Sequence, residues 1–306
     1  VDRVVNAPRL VLGTAQWGSP YGIANRTGVP ERSAIVRILA RAREAGITKL
    51  DTARAYGDSE SVIGTLVGAD ERWEVMTKIP PLYIKNASEG EARDAARRSI
   101  DASRSALRRA RIEVVLLHDP TDRVAAGGAA WQALLDLRRE GVVGALGISA
   151  RNPDEALGAL EVADVEVMQV AASLLDSRLA RARFFDRAAA CGKRVFVRSV
   201  FLQGVAHLGP HGLPPHLARL EPVLASISLR ARASAMSTAD AFLLYLRETL
   251  SAPLVIGMES DVQLEMNLRA WGLSCGDAAG LVAELAELVP ELPESILDPS
   301  RWPTDG

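Results

Sequence analysis

Eight short apolar runs alternate with amphipathic segments along the whole chain, and that alternation narrows the fold more than any other feature. The runs are LVLGTA (10–15), KLDTA (49–53), WEVMTKI (73–79), EVVLLH (113–118), VGALGIS (143–149), VEVMQVA (165–171), RVFVRSV (194–200) and LVIGM (254–258). Their length and β-branched content predict strands. Between them, segments such as 34–46 and 91–110 carry apolar residues at a period near 3.6 and predict helices. Gly46, Gly141 and Gly192 fall where a helix stops and a strand begins, a position that wants a left-handed cap.

Eight strand–helix units predict a (β/α)8 TIM barrel, an α/β architecture that typically needs roughly 250 residues. A doubly wound open sheet is the competing arrangement, but it normally places GxGxxG after its first strand. Here that strand continues GTAQWGSPYG. The 306 residues are therefore expected to form one barrel domain, 1–306. Residues 203–234, with Pro210, Pro214, Pro215 and Pro222, are too many for an ordinary βα loop. They are expected over the C-terminal face of the barrel after strand seven. An extra C-terminal helix (277–289) and a Pro-rich tail are expected to pack outside it.

A formal net charge of -2 gives no reason to expect nucleic acid or an anionic membrane as partner. Arg97, Arg98, Arg104, Arg108 and Arg109 cluster in one predicted helix, where a solvated face is the ordinary reading. Cys191 and Cys275 have no CxxC partner, which points to a reducing compartment. No segment approaches the ~20 apolar residues of a membrane span, and the N-terminal residues show no uninterrupted apolar h-region. A cytoplasmic location is expected.

In such barrels the chemistry sits where strands end and βα loops begin. Asp51 lies near the end of strand two, Tyr56 in the loop after it, Lys78 at the end of strand three and His118 at the end of strand four. A tyrosine is a weak proton donor at neutral pH, and an adjacent ammonium favours its phenolate form. A carboxylate beside the lysine keeps it charged, and a histidine opposite can polarise a carbonyl. One such residue would be an ordinary buried polar group. Four at matching strand ends point to a site.

These residues also resemble a family. The segments LGTAQWG (12–18), GITKLDTARAYGDSE (46–60), TKI (77–79), LLHDP (116–120) and LGIS (146–149), with Gln169, Gly257 and Asn267, are similar to the aldo-keto reductase superfamily over nearly the whole chain. The opening GTAQWG…YGIANRTG and the later VRSVFLQG resemble a bacterial branch of it. The resemblance implies NADPH- or NADH-dependent reduction of a small-molecule aldehyde or ketone, including sugar-type carbonyls, by a monomer or small homo-oligomer. Its catalytic tetrad falls on Asp51, Tyr56, Lys78 and His118. In those roles Tyr56 donates a proton to the developing alkoxide, Lys78 held by Asp51 assists it, and His118 orients the carbonyl oxygen. No metal is implied.

On the cofactor side the resemblance implies Gly13, Thr14, Asp51, Ser149, Gln169, Arg198, Ser199, Gly257, Met258, Glu259, Gln263 and Asn267. Two departures stand out: Ala150 replaces an asparagine that follows the serine, and Arg198 stands where an aromatic usually stacks on the nicotinamide. Phe201 is near enough in sequence to substitute. Glu259 and Gln263 occupy positions that are commonly basic in NADPH-dependent members, which leaves NADH open. A carboxylate repels a 2′-phosphate but accepts a hydrogen bond from a free 2′-hydroxyl. Arg232 or Arg269 supplying the missing charge is the alternative.

Substrate contacts are expected from Trp17, Tyr21, Tyr56, Tyr83, His118 and Phe201. Arg198 could meet either a substrate anion, bidentately, or the cofactor. His207, His211 and His216 share the long loop without a completing carboxylate or cysteine, so they are expected to be loop residues and not zinc ligands. Two other functions compete. A Schiff-base aldolase would need Lys78 neutral, which Asp51 opposes. A non-catalytic nicotinamide-nucleotide-binding regulatory subunit would account for the irregular cofactor positions.

Overall fold

The structure is a computed structural model that describes residues 8–82, 86–274 and 277–303. Strands β1 (Leu10–Gly13), β2 (Lys49–Asp51), β3 (Glu74–Ile79), β4 (Ile112–Leu117), β5 (Val143–Ser149), β6 (Val167–Ala171), β7 (Arg194–Arg198) and β8 (Leu254–Gly257) close into a parallel barrel in chain order. Closure is through β1 and β8, with Leu10 opposite Leu254 and Gly13 opposite Gly257. This is the (β/α)8 barrel that the alternation of runs predicts. The long predicted helices lie at Arg32–Glu44 and Glu89–Leu107. Gly46, Gly141 and Gly192 all take positive φ at the helix-to-strand turns.

Two apolar clusters follow from the two-residue period of a strand, which sends alternate side chains to opposite faces. Val11, Met76, Val114, Leu116, Val167, Phe196 and Val255 fill the barrel interior. The intervening residues, such as Leu10, Leu12, Leu50, Val75 and Val115, join the larger core beneath the helices. Two residues beyond the last interior hydrophobic, the same inward position turns polar or open. Met76 gives way to Lys78, Leu116 to His118, Val167 to Gln169, Phe196 to Arg198 and Val255 to Gly257. The upper layer of the barrel is therefore polar by register.

Several expectations are corrected here. The first apolar run ends as a strand at Gly13, and Ala15–Gly18 forms one helical turn. The region 203–234 is not a plain loop, because its second half is the helix Glu221–Ala233. The helix Ala278–Glu287 is present near its expected place. The tail after it turns back, however, so that Asp298, Pro299 and Ser300 line the central cavity, with Trp302 buried behind. Arg109 is not on a solvated helix face. It follows the helix, is buried, and pairs with Glu113 at 3.0 Å while donating to the Asp70 carbonyl.

Candidate active site

The polar layer is organised around Lys78, which is fully buried. Its Nζ donates to Asp51 Oδ1 at 2.7 Å and to the Thr52 carbonyl at 2.9 Å. Gln169 Nε2 donates to the same Asp51 oxygen at 2.8 Å, and Ser149 Oγ donates to Gln169 Oε1 at 3.4 Å. The Lys78 Nζ also lies 4.9 Å from the centre of the Tyr56 ring. Burial disfavours the ammonium, but the charges of Asp51 and Tyr56 outweigh it, and the lysine value is raised. The Asp51 carboxylate beside it opposes the neutral amine that a Schiff-base reading needs.

His118 meets Tyr56 edge-on, with ring centres 5.9 Å apart. Burial first, then the positive charges of Lys78 and Arg198, push its imidazolium down to about 4, with Asp119 opposing. At neutral pH His118 is uncharged, so one ring nitrogen donates while the other accepts.

Local sequence explains how Tyr56 is positioned. Ser59 is fully buried and ties three elements together: its hydroxyl lies 2.7 Å from Thr14 Oγ1 and 2.9 Å from Thr52 Oγ1, and donates to the Thr14 carbonyl. Glu60, also buried, accepts from Thr77 Oγ1 at 2.6 Å and from Arg54 Nη1 at 3.0 Å. The turn holding Tyr56 is thereby clamped to β1 and β3. It also crosses the Ala15–Gly18 turn at van der Waals limit. A Cβ on Gly18 would stand 1.8 Å from the Tyr56 carbonyl oxygen, and one on Gly57 would stand 2.1 Å from the Gly18 oxygen at φ +52°.

Gly57→Ala is therefore expected to cost about 1–3 kcal/mol of stability and to lower kcat/KM by tenfold or more, because displaced catalytic groups lose rate steeply. Urea unfolding and steady-state kinetics check this. Gly158→Ala is the control, since nothing stands within 4 Å of its added methyl. Equal behaviour of the two variants would remove the crossing from the account.

A cavity of about 720 Å³ opens above this layer, within the usual range for cofactor and small-molecule sites. Gly13, Thr14, Asp51, Tyr56, His118, Ser149, Arg198, Ser199, Gly257, Glu259, Gln263 and Asn267 line it, as do Tyr21 and Phe201. Several expected residues lie elsewhere. Trp17 is buried in the main core and does not reach the cavity, because the Ala15–Gly18 turn points it inward. Met258 is likewise buried in that core. Gln169 faces Asp51 beneath the cavity floor, where the register of β6 puts it. Tyr83 lies outside the described residues. Phe201 packs against the His207 ring, with centres 4.6 Å apart.

Residues that the strand-end pattern does not mark also line the cavity: Gln16, Asn25, Gln203, His207 and Ser300. They come from short helical turns, a loop and the tail that follow the strands, where no strand end flags a position. His211 sits instead against Glu221, and His216 against Trp302. At the outer end Glu259 and Gln263 bond each other. Gln263 Nε2 donates to Glu259 Oε2 at 2.6 Å, and the Glu259 amide donates to Gln263 Oε1 at 2.7 Å. Neither Arg232 nor Arg269 lines this cavity or the pocket beside it. Arg37 lines that neighbouring pocket, already paired with Asp261 at 3.2 Å.

The family model for the aldo/keto reductase family matches residues 9–277. The chain belongs to the aldo/keto reductase family, and it is an oxidoreductase. Among relatives, an uncharacterized oxidoreductase of Mycobacterium tuberculosis is 29% identical, over 88% of this chain and 86% of that protein. An aldo-keto reductase from Bacillus halodurans superposes with a TM-score of 0.69 at 21% identity, covering 92% of this chain and 94% of the other. An aldo-keto reductase from Klebsiella pneumoniae, solved in complex with NADPH, gives 0.67 at 20% identity, covering 94% and 93%.

Proposed function

We propose that this protein reduces an aldehyde or ketone to the corresponding alcohol at the expense of a reduced nicotinamide nucleotide, with Tyr56 as the proton donor. The observation that carries the reading is the buried Lys78–Asp51 pair beneath the Tyr56 ring, with an uncharged His118 opposite.

The cavity has the size and lining to take a dinucleotide. At its outer end stands the N-terminus of the helix Asp261–Gly272, a favourable place for phosphate. Gly257, Gln263 and Asn267 line the cavity with it, as do Ser149 and Arg198. When bound, the reduced nicotinamide supplies the hydride. The chain's own residues do the rest. An N–H of His118 donates to the substrate carbonyl oxygen and holds it near the Tyr56 hydroxyl. Tyr56 passes its proton to that oxygen as negative charge builds there. Lys78, itself buried, stabilises the charge left on the phenolic oxygen where that charge develops. Asp51, fixed by Gln169, keeps the ammonium charged and in place.

Glu259 favours NADH. Its carboxylate lines the cavity, is tied among the described residues to the neutral amide of Gln263, and repels a 2′-phosphate more than a hydroxyl. Fluorescence titration with both nucleotides is expected to give an NADH affinity equal to or above that for NADPH. NADPH binding tenfold tighter would overturn that preference. Micromolar binding without turnover on a panel of aldehydes would instead favour a nucleotide-binding regulatory role.

A further inference from the structure

Among the described residues that line the cavity, one positive charge has no carboxylate to cancel it. Lys78 is matched by Asp51. Arg151, which also lines the cavity, is matched by Glu155 at 2.6 Å and Asp119 at 3.3 Å. Arg198 differs. Its Nη2 donates to the Ala150 carbonyl at 2.9 Å and its Nη1 to Ser199 Oγ at 3.1 Å. Both acceptors are neutral, and among the described residues no carboxylate lies within the 4 Å of an ion pair from it. These bonds fix the guanidinium without neutralising it, and a guanidinium stays protonated at any working pH.

Position makes that charge consequential. Arg198 ends β7 opposite Ala171 of β6, and reaches across β6 to the residue that follows β5. It therefore stands above the Gln169 end of the polar layer, near Ser149 and on the same rim as His118. The segment that follows is held in an unusual backbone, with Ser199, Leu202 and Gln203 at φ of 60°, 44° and 52°. Such conformations persist where the surrounding structure enforces them. The Arg198 charge is also one of those that depress the His118 imidazolium, so it is felt at the reacting end of the cavity.

Carbonyl reduction changes charge at that end. The reduced nicotinamide is neutral. Giving a hydride, two electrons and a proton, to the carbonyl carbon leaves the ring with a charge of +1. The carbonyl π bond becomes C–H and O–H, the second proton coming from Tyr56 and being replaced from solvent. We infer that Arg198 selects the redox form of the bound nucleotide, disfavouring the cationic oxidised ring relative to the neutral reduced one, and so tilts this site toward reduction. The inference rests on the reading under Proposed function. A unit charge within several ångströms, at the effective dielectric of a partly buried site, alters relative affinity on the order of ten- to a hundredfold.

The test is equilibrium titration of the full chain with NADH, NAD+, NADPH and NADP+, for wild type, Arg198→Lys and Arg198→Met. The wild type is expected to hold the reduced member of its preferred pair on the order of tenfold or more tighter than the oxidised one. Arg198→Met is expected to shrink that ratio by about tenfold or more, and Arg198→Lys, which keeps the charge, to retain most of it. An unchanged ratio in Arg198→Met, or equal losses in both variants, would overturn the inference while leaving nucleotide binding intact. Failure of the wild type to bind any of the four nucleotides would remove the functional reading beneath it as well. A second readout needs no nucleotide: the ring-proton titration of His118 by NMR is expected to move upward in Arg198→Met, and no movement would count against the charge reaching the site.

Discussion

Tyr56→Phe is expected to lower kcat by about 10²–10⁴-fold, the usual contribution of a positioned proton donor, while leaving nucleotide affinity within a factor of about two to three. The ring is retained, so its edge-on contact with His118 and its place over Lys78 remain. Only the hydroxyl is lost. Stopped-flow measurement of the chemical step, beside a fluorescence titration of the nucleotide, separates the two effects. Wild-type turnover in this variant would eliminate Tyr56 as donor. A parallel collapse of nucleotide affinity would mean that the hydroxyl organises the cavity and does not act on the substrate.

Lys78→Met is expected to be the most destabilising single change at the site. Lys78 and Asp51 are both buried, and removing one partner leaves the other charge without compensation. Breaking a buried pair in this way costs about 3–5 kcal/mol. Urea denaturation measures it. The double variant Asp51→Asn/Lys78→Met should lose less than the two single losses combined, the signature of coupled groups. A loss below about 1 kcal/mol in the single variant would mean that the pair is solvated and not the buried unit described here. Activity is expected to fall as well, since the charge that supports the phenolic oxygen is gone.

The chain announced its own architecture through local signals. Short apolar runs mark strands, period-3.6 segments mark helices, and eight alternations leave few topologies besides a closed parallel barrel. The ends of those strands made part of the site legible. Lys78, His118 and Arg198 lie two residues beyond interior hydrophobics, so their inward placement follows from counting. Aromatic character alone misled: Trp17 looks like a cavity wall in sequence, yet one helical turn at Ala15–Gly18 carries it into the core.

What the sequence by itself determined is the barrel and the polar upper layer that holds Lys78 and His118, because strand register is a local, periodic property. Only the tertiary structure decided which polar groups satisfy one another. It gives Gln169 to Asp51, carries Arg198 across β6 to the Ala150 carbonyl, and folds Ser300 back onto the cavity. Such pairings join residues as much as 118 positions apart. They are set by closure of the barrel and by the competition of every buried donor for an acceptor, which no local pattern encodes.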